Sequence, residues 1–372
     1  MKIGIEGRTL QGRRYGVARY TQNLLRHFME VSPDNEYIVY LSEDIEPLGF
    51  SGDSLRLEVI GSERIPLAWR HVYLPLAMRR EGIDLHFSPS YFLPVVKVCP
   101  SVDVVHDLSF KAHPEWFTRD RRMKFDDLFW RVVKKADRII TVSESSKREI
   151  VRFLGVDPAR ISVIYEAADE RFRPVRDEEL LSGVKRKFGL PDQFLFTAGS
   201  LHTRRNLERL IDAVAIAGRS LGSKPVLFIL GTPAQFSPPV DIEGRAASAG
   251  LDGKVIHREY VSEEDMLLLY NACGMFVYPS TYEGFGLPVI EAMACGAAVA
   301  CSNVTSLPEV GGDAVEYFDP MDVGEMAGAI ARVLGDDALR ARLSSAGLER
   351  AATFSWRRAA EETLAVFNEV AG

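Results

Sequence analysis

The feature that most constrains this chain is a regular alternation of short β-branched runs with longer amphipathic stretches. It runs through the sequence in two series. The pattern predicts strands at Lys2–Glu6, Glu36–Leu41, Leu55–Ile60, Val102–His106, Arg138–Val142 and Ile161–Tyr165, with helical stretches such as Val17–Val31 and Arg121–Lys135 between them. A charged segment, Arg171–Lys187, interrupts it. The alternation then restarts with predicted strands Phe194–Ala198, Pro225–Leu230, Val255–His257, Met275–Tyr278, Ala298–Cys301 and Ala314–Phe318. Helical patterns at Asn206–Gly218, Glu263–Cys273, Pro288–Ala294 and Val323–Leu334 separate these. Strand–helix–strand alternation demands parallel sheets covered on both faces. Two series joined near Pro174, with a linker at about Ala168–Asp177, therefore predict an α/β chain of two doubly wound domains facing across a cleft. Their predicted limits are residues 1–170 and 171–355. A last amphipathic helix at 356–370 either stays with the second domain or crosses back to the first.

Length and composition fit this reading. The 372 residues are 47% hydrophobic and 26% charged, ordinary for a globular protein, which excludes a disordered chain or a small disulfide scaffold. The longest apolar stretch, Val289–Cys301, is broken by Glu291 and Gly296 and falls short of the ~20 residues of a spanning helix. The N-terminus reads as a first strand, not a signal peptide. Cys99, Cys273, Cys295 and Cys301 form no C-x-x-C and are read as reduced core thiols of a cytoplasmic protein. The net charge of −7 gives no reason to expect a nucleic-acid partner. Charge is uneven, however: residues 1–172 hold 26 Lys and Arg against 25 Asp and Glu, and the remainder 19 against 27. Basic clusters at Arg13-Arg14, Arg119–Lys124 and Arg131–Arg138 solvate helix faces, or form a patch for an anionic acceptor or for peripheral attachment of the first domain to the inner face of a membrane.

In doubly wound sheets ligands sit beyond the carboxyl ends of strands, so chemistry is sought in the loops there. Gly7–Val17 follows the first strand, and its glycines, Gly12 and Gly16 among them, let backbone approach a bound group or simply make turns. His106-Asp107 ends a strand, either as hydrogen-bonding group and neighbour or as core His and helix cap. Ala198-Gly199-Ser200-Leu201-His202-Thr203-Arg204-Arg205-Asn206 puts two guanidinium groups before a helix start, suited to a diphosphate. The most informative loop is Pro279-Ser280-Thr281-Tyr282-Glu283-Gly284-Phe285-Gly286-Leu287-Pro288-Val289-Ile290-Glu291. There Glu283 lies among glycines whose N–H groups can face the same small ligand. Glu291, in the first turn of the helix that Pro288 opens, is a natural acceptor for vicinal hydroxyls such as those of a ribose.

The Glu-x7-Glu pair inside Glu-Gly-Phe-Gly-Leu-Pro resembles the signature of family-4 glycosyltransferases, retaining enzymes of the GT-B fold. The resemblance extends over nearly the whole chain. It includes Gly16-Val17-Ala18-Arg19-Tyr20, His106-Asp107-Leu108, Ala136–Glu144, Arg204-Arg205-Asn206-Leu207 and Ser306-Leu307-Pro308-Glu309-Val310, and it is nearest to the mannosyl- and hexosyltransferases of bacterial surface polysaccharides. It implies a nucleotide-diphosphate sugar, GDP-mannose or a UDP-sugar, on the second domain and a glycan or lipid-linked glycan acceptor on the first, with the helix at 356–370 packing back on the first domain. It implies His106, Arg205 and Glu283 as catalytic residues. It implies donor contacts from Gly16, Ser200, Arg204, Arg205, Gly284, Phe285, Gly286, Leu287 and Glu291, with Glu291 on the ribose. Arg205 stands where the family usually has Lys, Ser200 where many members have Arg, and Tyr165-Glu166-Ala167-Ala168 replaces the usual Pro-Asn-Gly. The reaction implied is hexosyl transfer with retention, with no metal or other cofactor. A non-catalytic sugar-binding subunit and a sugar-nucleotide epimerase on the same fold are the alternatives.

Overall fold

The structure is a computed structural model that describes residues 1–11, 16–61, 64–91, 93–117, 127–234, 238 and 240–372. Among these, the chain divides into two compact units, each built on one parallel sheet.

The first unit holds described residues of 1–108, 127–166 and 355–372. Its sheet runs β3-β2-β1-β4-β5-β6-β7, with β1 Lys2–Glu6, β2 Glu36–Leu41, β3 Leu55–Val59, β4 Leu85–Ser88, β5 Ser101–Val105, β6 Arg138–Thr141 and β7 Ile161–Val163. Six of these lie where the pattern predicts them, within a residue or two at the ends. The seventh, β4, does not appear in the pattern at all. It reads Leu-His-Phe-Ser, and both polar residues are buried. His86 survives there because it is neutral: burial pushes its pKa down to about 4. The strand order reverses between β1 and β4, which run parallel, and this makes their carboxyl ends the crevice of this unit.

The helix Val17–Val31 buries Leu24, Leu25 and Phe28, and the Phe28 ring lies 5.7 Å from Tyr37 of β2 and 6.1 Å from Phe87 of β4. Gly16 is its N-cap at φ +47°, a conformation that suits glycine. The final helix, Trp356–Ala371, belongs to this unit. It is capped by Ser355, and its Phe367 ring lies 5.6 Å from Phe28 and 5.0 Å from Phe87.

The second unit holds described residues of 109–117 and 167–354. The short stretch after β5, residues 109–117, therefore groups with the second sheet, although the pattern places it in the first domain. Rings explain this: His113 and Trp116 stack at 3.8 Å, and both approach Tyr282 of the second unit, at 5.6 and 6.1 Å. The sheet runs β10-β9-β8-β11-β12-β13, with β8 Phe194–Ala198, β9 Val226–Leu230, β10 Val255–Arg258, β11 Met275–Tyr278, β12 Val299–Ser302 and β13 Glu316–Phe318. Here the reversal lies between β8 and β11, which pair through Met275 and Phe276.

Part of the predicted charged segment is a helix, Glu178–Phe188. Its charges are those a helix wants: Asp177 caps its N-terminus, Glu178 and Glu179 open it, and Lys185, Arg186 and Lys187 close it before Gly189 in the left-handed conformation. Burial pushes all four cysteine thiols up, Cys99 to about 11 and Cys273 to about 12, which makes them unreactive core groups. Among the described residues no helix is long and apolar enough to cross a membrane.

Candidate functional site

The loops after β8 and β11 meet at the strand-order reversal of the second sheet, and the sequence dictates how. Beyond β8 the chain turns at Gly199, with φ +143°. A Cβ there would come within 3.0 Å of the Arg205 Nε. The end of β9 passes closer still: a Cβ on Gly231 would lie 1.8 Å from the Gly199 carbonyl oxygen. Residues Thr203–Arg205 form a 3₁₀ turn capped by His202, whose Nδ1 accepts from the Arg204 N–H at 3.2 Å. Asn206 follows in the left-handed conformation and donates its side-chain N–H to the Pro320 carbonyl at 2.7 Å, and the helix Leu207–Leu221 begins. The turn thus throws Arg205 back over the end of β11.

There its guanidinium lies 5.0 Å from the Tyr278 ring centre and contacts both the Tyr278 hydroxyl and Glu283 Oε1. The same Glu283 oxygen accepts from the Ser280 hydroxyl at 2.5 Å and from the Tyr278 hydroxyl at 3.2 Å. Three donors converge on Oε1, and among the described residues none reaches Oε2. A carboxylate held so firmly through one oxygen presents the other to a ligand in fixed geometry. The surroundings are nearly closed, since side-chain exposure is 13% for Arg205 and 8% for Glu283. A small pocket at the ends of these strands is lined by Gly199, Arg205, Tyr278 and Pro279, among others.

The backbone of the Glu283 loop is pinned from both sides. The Arg204 carbonyl accepts from the Thr281 N–H at 2.8 Å and its hydroxyl at 3.1 Å. Thr305 Oγ1 accepts from the Glu283 N–H at 3.1 Å, and the Ser306 hydroxyl donates to the Phe285 carbonyl at 2.6 Å. Gly286, at φ +121°, is the N-cap of the helix Leu287–Ala294, and a Cβ there would meet Leu307 at 2.8 Å. That helix start leaves backbone N–H groups without helical partners, a favourable place for negative charge.

The sequence-predicted residues fall into four groups. Arg205 and Glu283 are in direct contact, with Arg204 tied to their loop through its carbonyl and Gly284, Phe285, Gly286 and Leu287 leading from Glu283 into the helix. Glu291 is not in the first turn of that helix but in the second. It is buried and accepts from the Tyr270 hydroxyl at 3.0 Å, so the two acids of the pair are anchored by different partners. Ser200 is exposed, and its carbonyl accepts from the His202 N–H at 2.8 Å.

The remaining two residues, His106 and Gly16, belong to the first unit. His106 donates Nε2–H to the Pro89 carbonyl at 2.8 Å, its Nδ1 lies 3.4 Å from Glu166 Oε1, and the Tyr20 ring meets it edge-on at 4.7 Å. Neither ring nitrogen can serve a ligand without exchanging one of these partners. Gly12 lies outside the described residues. Sequence reasoning missed Tyr278, Ser280 and Tyr270 as anchors of the two acids, and Glu166 as the partner of His106. Only Ser280 and Glu166 carried a signal, one inside the acidic loop and the other at the departure from Pro-Asn-Gly.

A family model described as glycosyl transferases group 1 matches residues 184–350, and one described as glycosyltransferase family 4 matches residues 15–172. The O-antigen chain mannosyltransferase B of Escherichia coli is 33% identical over 290 residues, 77% of this chain and 75% of that protein. Among solved structures, sucrose-phosphate synthase from Thermosynechococcus elongatus aligns with a TM-score of 0.78 at 20% identity, over 99% of this chain and 98% of that one. The Anabaena protein Alr3699/HepE in complex with UDP-glucose aligns at 0.75 and 18% identity, over 99% and 100%.

Proposed function

Because the chain belongs to the family-4, group 1 glycosyltransferases of GT-B fold, we propose that it moves a hexosyl group, mannose in the first instance, from a nucleotide-diphosphate sugar held on the second unit to a glycan or lipid-linked glycan. The observation that carries this reading is the Arg205–Tyr278–Ser280–Glu283 constellation at the strand-order reversal, beside a helix N-terminus. The mannose assignment draws support from the Escherichia coli relative, and the nucleotide-sugar donor from the solved neighbour with UDP-glucose. GDP-mannose and UDP-sugars are the donors to test first.

Breaking the bond between sugar and diphosphate builds positive charge on the anomeric carbon and negative charge on the departing phosphate. Stabilising that leaving group is the main catalytic task. Arg205 supplies a fork of donors for it, and the N–H groups at the start of Leu287–Ala294 add a fixed positive field. The acceptor hydroxyl attacks from the face the diphosphate leaves and passes its proton to the departing phosphate, which gives retention without a metal ion. Glu283 Oε2 takes a sugar hydroxyl and orients the ring; it is not a nucleophile. Glu291 takes the ribose hydroxyls. The first unit takes the acceptor, at the cytoplasmic face of a membrane where that acceptor is lipid-linked.

The test is turnover of a panel of nucleotide sugars with a mannose-terminated acceptor, following the anomeric configuration of the product by NMR. An α-linked product from an α-linked donor, formed equally well in excess chelator, is expected. An inverted product, interconversion of donors without transfer, or loss of activity on chelation contradicts the proposal.

A further inference from the structure

The stretch that follows β5 and packs with the second unit carries two aromatic rings that fill no core. The chain there makes a single 3₁₀ turn, Pro114–Trp116, with Pro114 at its first position. In such a turn, side chains three residues apart stand one above the other. His113 and Trp116 are three apart, and their rings stack at 3.8 Å with 12° between their planes. The Trp116 N–H closes the turn by donating to the His113 carbonyl at 3.1 Å. Glu115 fixes the His113 ring, with its Oε1 3.0 Å from Nδ1. Buried Phe117 anchors the stretch, with its ring 4.1 Å from Phe110.

The stack keeps a face toward solvent. The His113 side chain is 37% exposed, and Trp116 is half-buried. Among the described residues, neither His113 Nε2 nor the Trp116 indole N–H makes a hydrogen bond. Both rings stand edge-on to Tyr282, at 5.6 and 6.1 Å, and Trp116 stands edge-on to His202 at 6.2 Å. Tyr282 directly precedes Glu283, and His202 caps the turn that carries Arg205. One exposed stack therefore touches both loops that hold the Arg205–Glu283 pair. An aromatic face is electron-rich, and here N–H groups lie at its rim. A pyranose complements that arrangement: its axial C–H bonds make an apolar, weakly positive face, and its hydroxyls surround it.

We propose that the His113–Trp116 stack seats the terminal pyranose of the acceptor. The apolar face of the sugar lies on the rings, and its hydroxyls meet His113 Nε2 and the Trp116 N–H. The proposal rests on the transferase reading and sharpens it: the sugar to be extended is held by a stretch that packs with the second unit, while the rest of the acceptor stays with the first. The pair of rings is set before the sugar arrives, because the turn, Glu115 and Phe117 hold it, and a platform so prepared costs little ordering on binding.

Saturation-transfer NMR on the full chain with methyl α-mannoside, irradiating aromatic protons of the protein, reads the contact without turnover. Transfer to the ring C–H protons of the sugar is expected in the wild type, kept in His113→Phe and lost in H113A/W116A. Turnover with a mannose-terminated acceptor reads the same contact in the reaction. Trp116→Ala should raise the acceptor KM by roughly tenfold, Trp116→Phe should recover most of that loss, and the donor KM should stay in place. Calorimetric binding of GDP and UDP should be unchanged in every variant, whereas a stack that only propped the Tyr282 and His202 loops would weaken it together with the acceptor. No transfer to the mannoside in the wild type, undiminished transfer in H113A/W116A, diphosphate binding that falls with the acceptor, or an acceptor KM that Trp116→Ala leaves alone overturns the proposal. If no donor supports turnover, the transferase reading fails, and saturation transfer still decides whether the stack holds a sugar.

Discussion

Arg205 is engaged by side chains of its own unit, and this leads to a prediction of unusual sign. Its guanidinium is held by Glu283 and Tyr278, so an incoming diphosphate competes with a carboxylate for it. Arg205→Met removes the group that grips the diphosphate and strands the Glu283 carboxylate in a nearly closed site. Loss of one member of a buried ion pair costs about 3 kcal/mol of stability or more. Loss of charge-assisted hydrogen bonds to the ligand should weaken nucleoside diphosphate binding by roughly ten- to a hundredfold. Glu283→Gln keeps the shape, and its amide oxygen still accepts from Ser280 and Tyr278, but it releases Arg205 from its competing anion. Nucleoside diphosphate affinity should hold or improve, while turnover falls by about a hundredfold or more with the loss of the oriented carboxylate. The double variant should recover most of the stability lost in Arg205→Met, because the stranded charge is gone. Calorimetric titration with GDP and UDP, paired with urea unfolding of each variant, reads every quantity. Equal weakening by both single variants, or unchanged binding in Arg205→Met, would refute the reasoning.

Other outcomes follow from the same geometry. Glu291→Gln should weaken nucleoside diphosphate binding by roughly tenfold yet leave binding of the 2′,3′-dideoxy analogue unaffected, as calorimetry would show; equal effects on both would remove the ribose from Glu291. Gly231→Ala drives a Cβ to 1.8 Å from the Gly199 carbonyl, so urea unfolding should show a loss of ~2 kcal/mol or more, together with weaker diphosphate binding; wild-type values for both would contradict the close approach. His86, ordinarily near 6.5 and here pushed down to about 4, stays neutral in the folded chain while the unfolded chain takes up a proton. Its contribution is therefore complete above pH 6.5 and lost as pH falls toward 4, by about 3 kcal/mol at most. His86→Leu should flatten the wild type's loss of stability over that window, and an unchanged pH profile in urea unfolding would count against a neutral buried imidazole.

The fold was legible wherever apolar pattern and burial coincide. Val-Asp-Val-Val and Phe-Leu-Phe-Thr-Ala announce buried parallel strands, and their ends lie within a residue of the predictions. β4 was illegible because its stability rests on a neutral histidine and a serine inside a sheet, which a hydrophobic pattern reads as loop. The helix Glu178–Phe188 was hidden for the opposite reason: it buries little beyond Val184, and its dipole-matched charges look like a linker. The stretch at 109–117 went with the second unit because rings distant in sequence meet there, which no local pattern can reveal. In the candidate site, Arg205, Glu283 and the glycines beside them stood in short motifs, and the fold brings Arg205 and Glu283 into contact. Tyr278 and Tyr270, which anchor the two acids, sit on a strand and a helix as ordinary core tyrosines, and only the folded chain turns their hydroxyls onto carboxylates.

The most direct measurement of the central claim is a crystal structure of the chain with a nucleotide-diphosphate sugar bound. The account expects the diphosphate on the Arg205 guanidinium and the N-terminus of Leu287–Ala294, a sugar hydroxyl on Glu283 Oε2, and the ribose hydroxyls on Glu291. A ligand that leaves the Arg205–Glu283 contact untouched, or that binds away from the ends of β8 and β11, would contradict it.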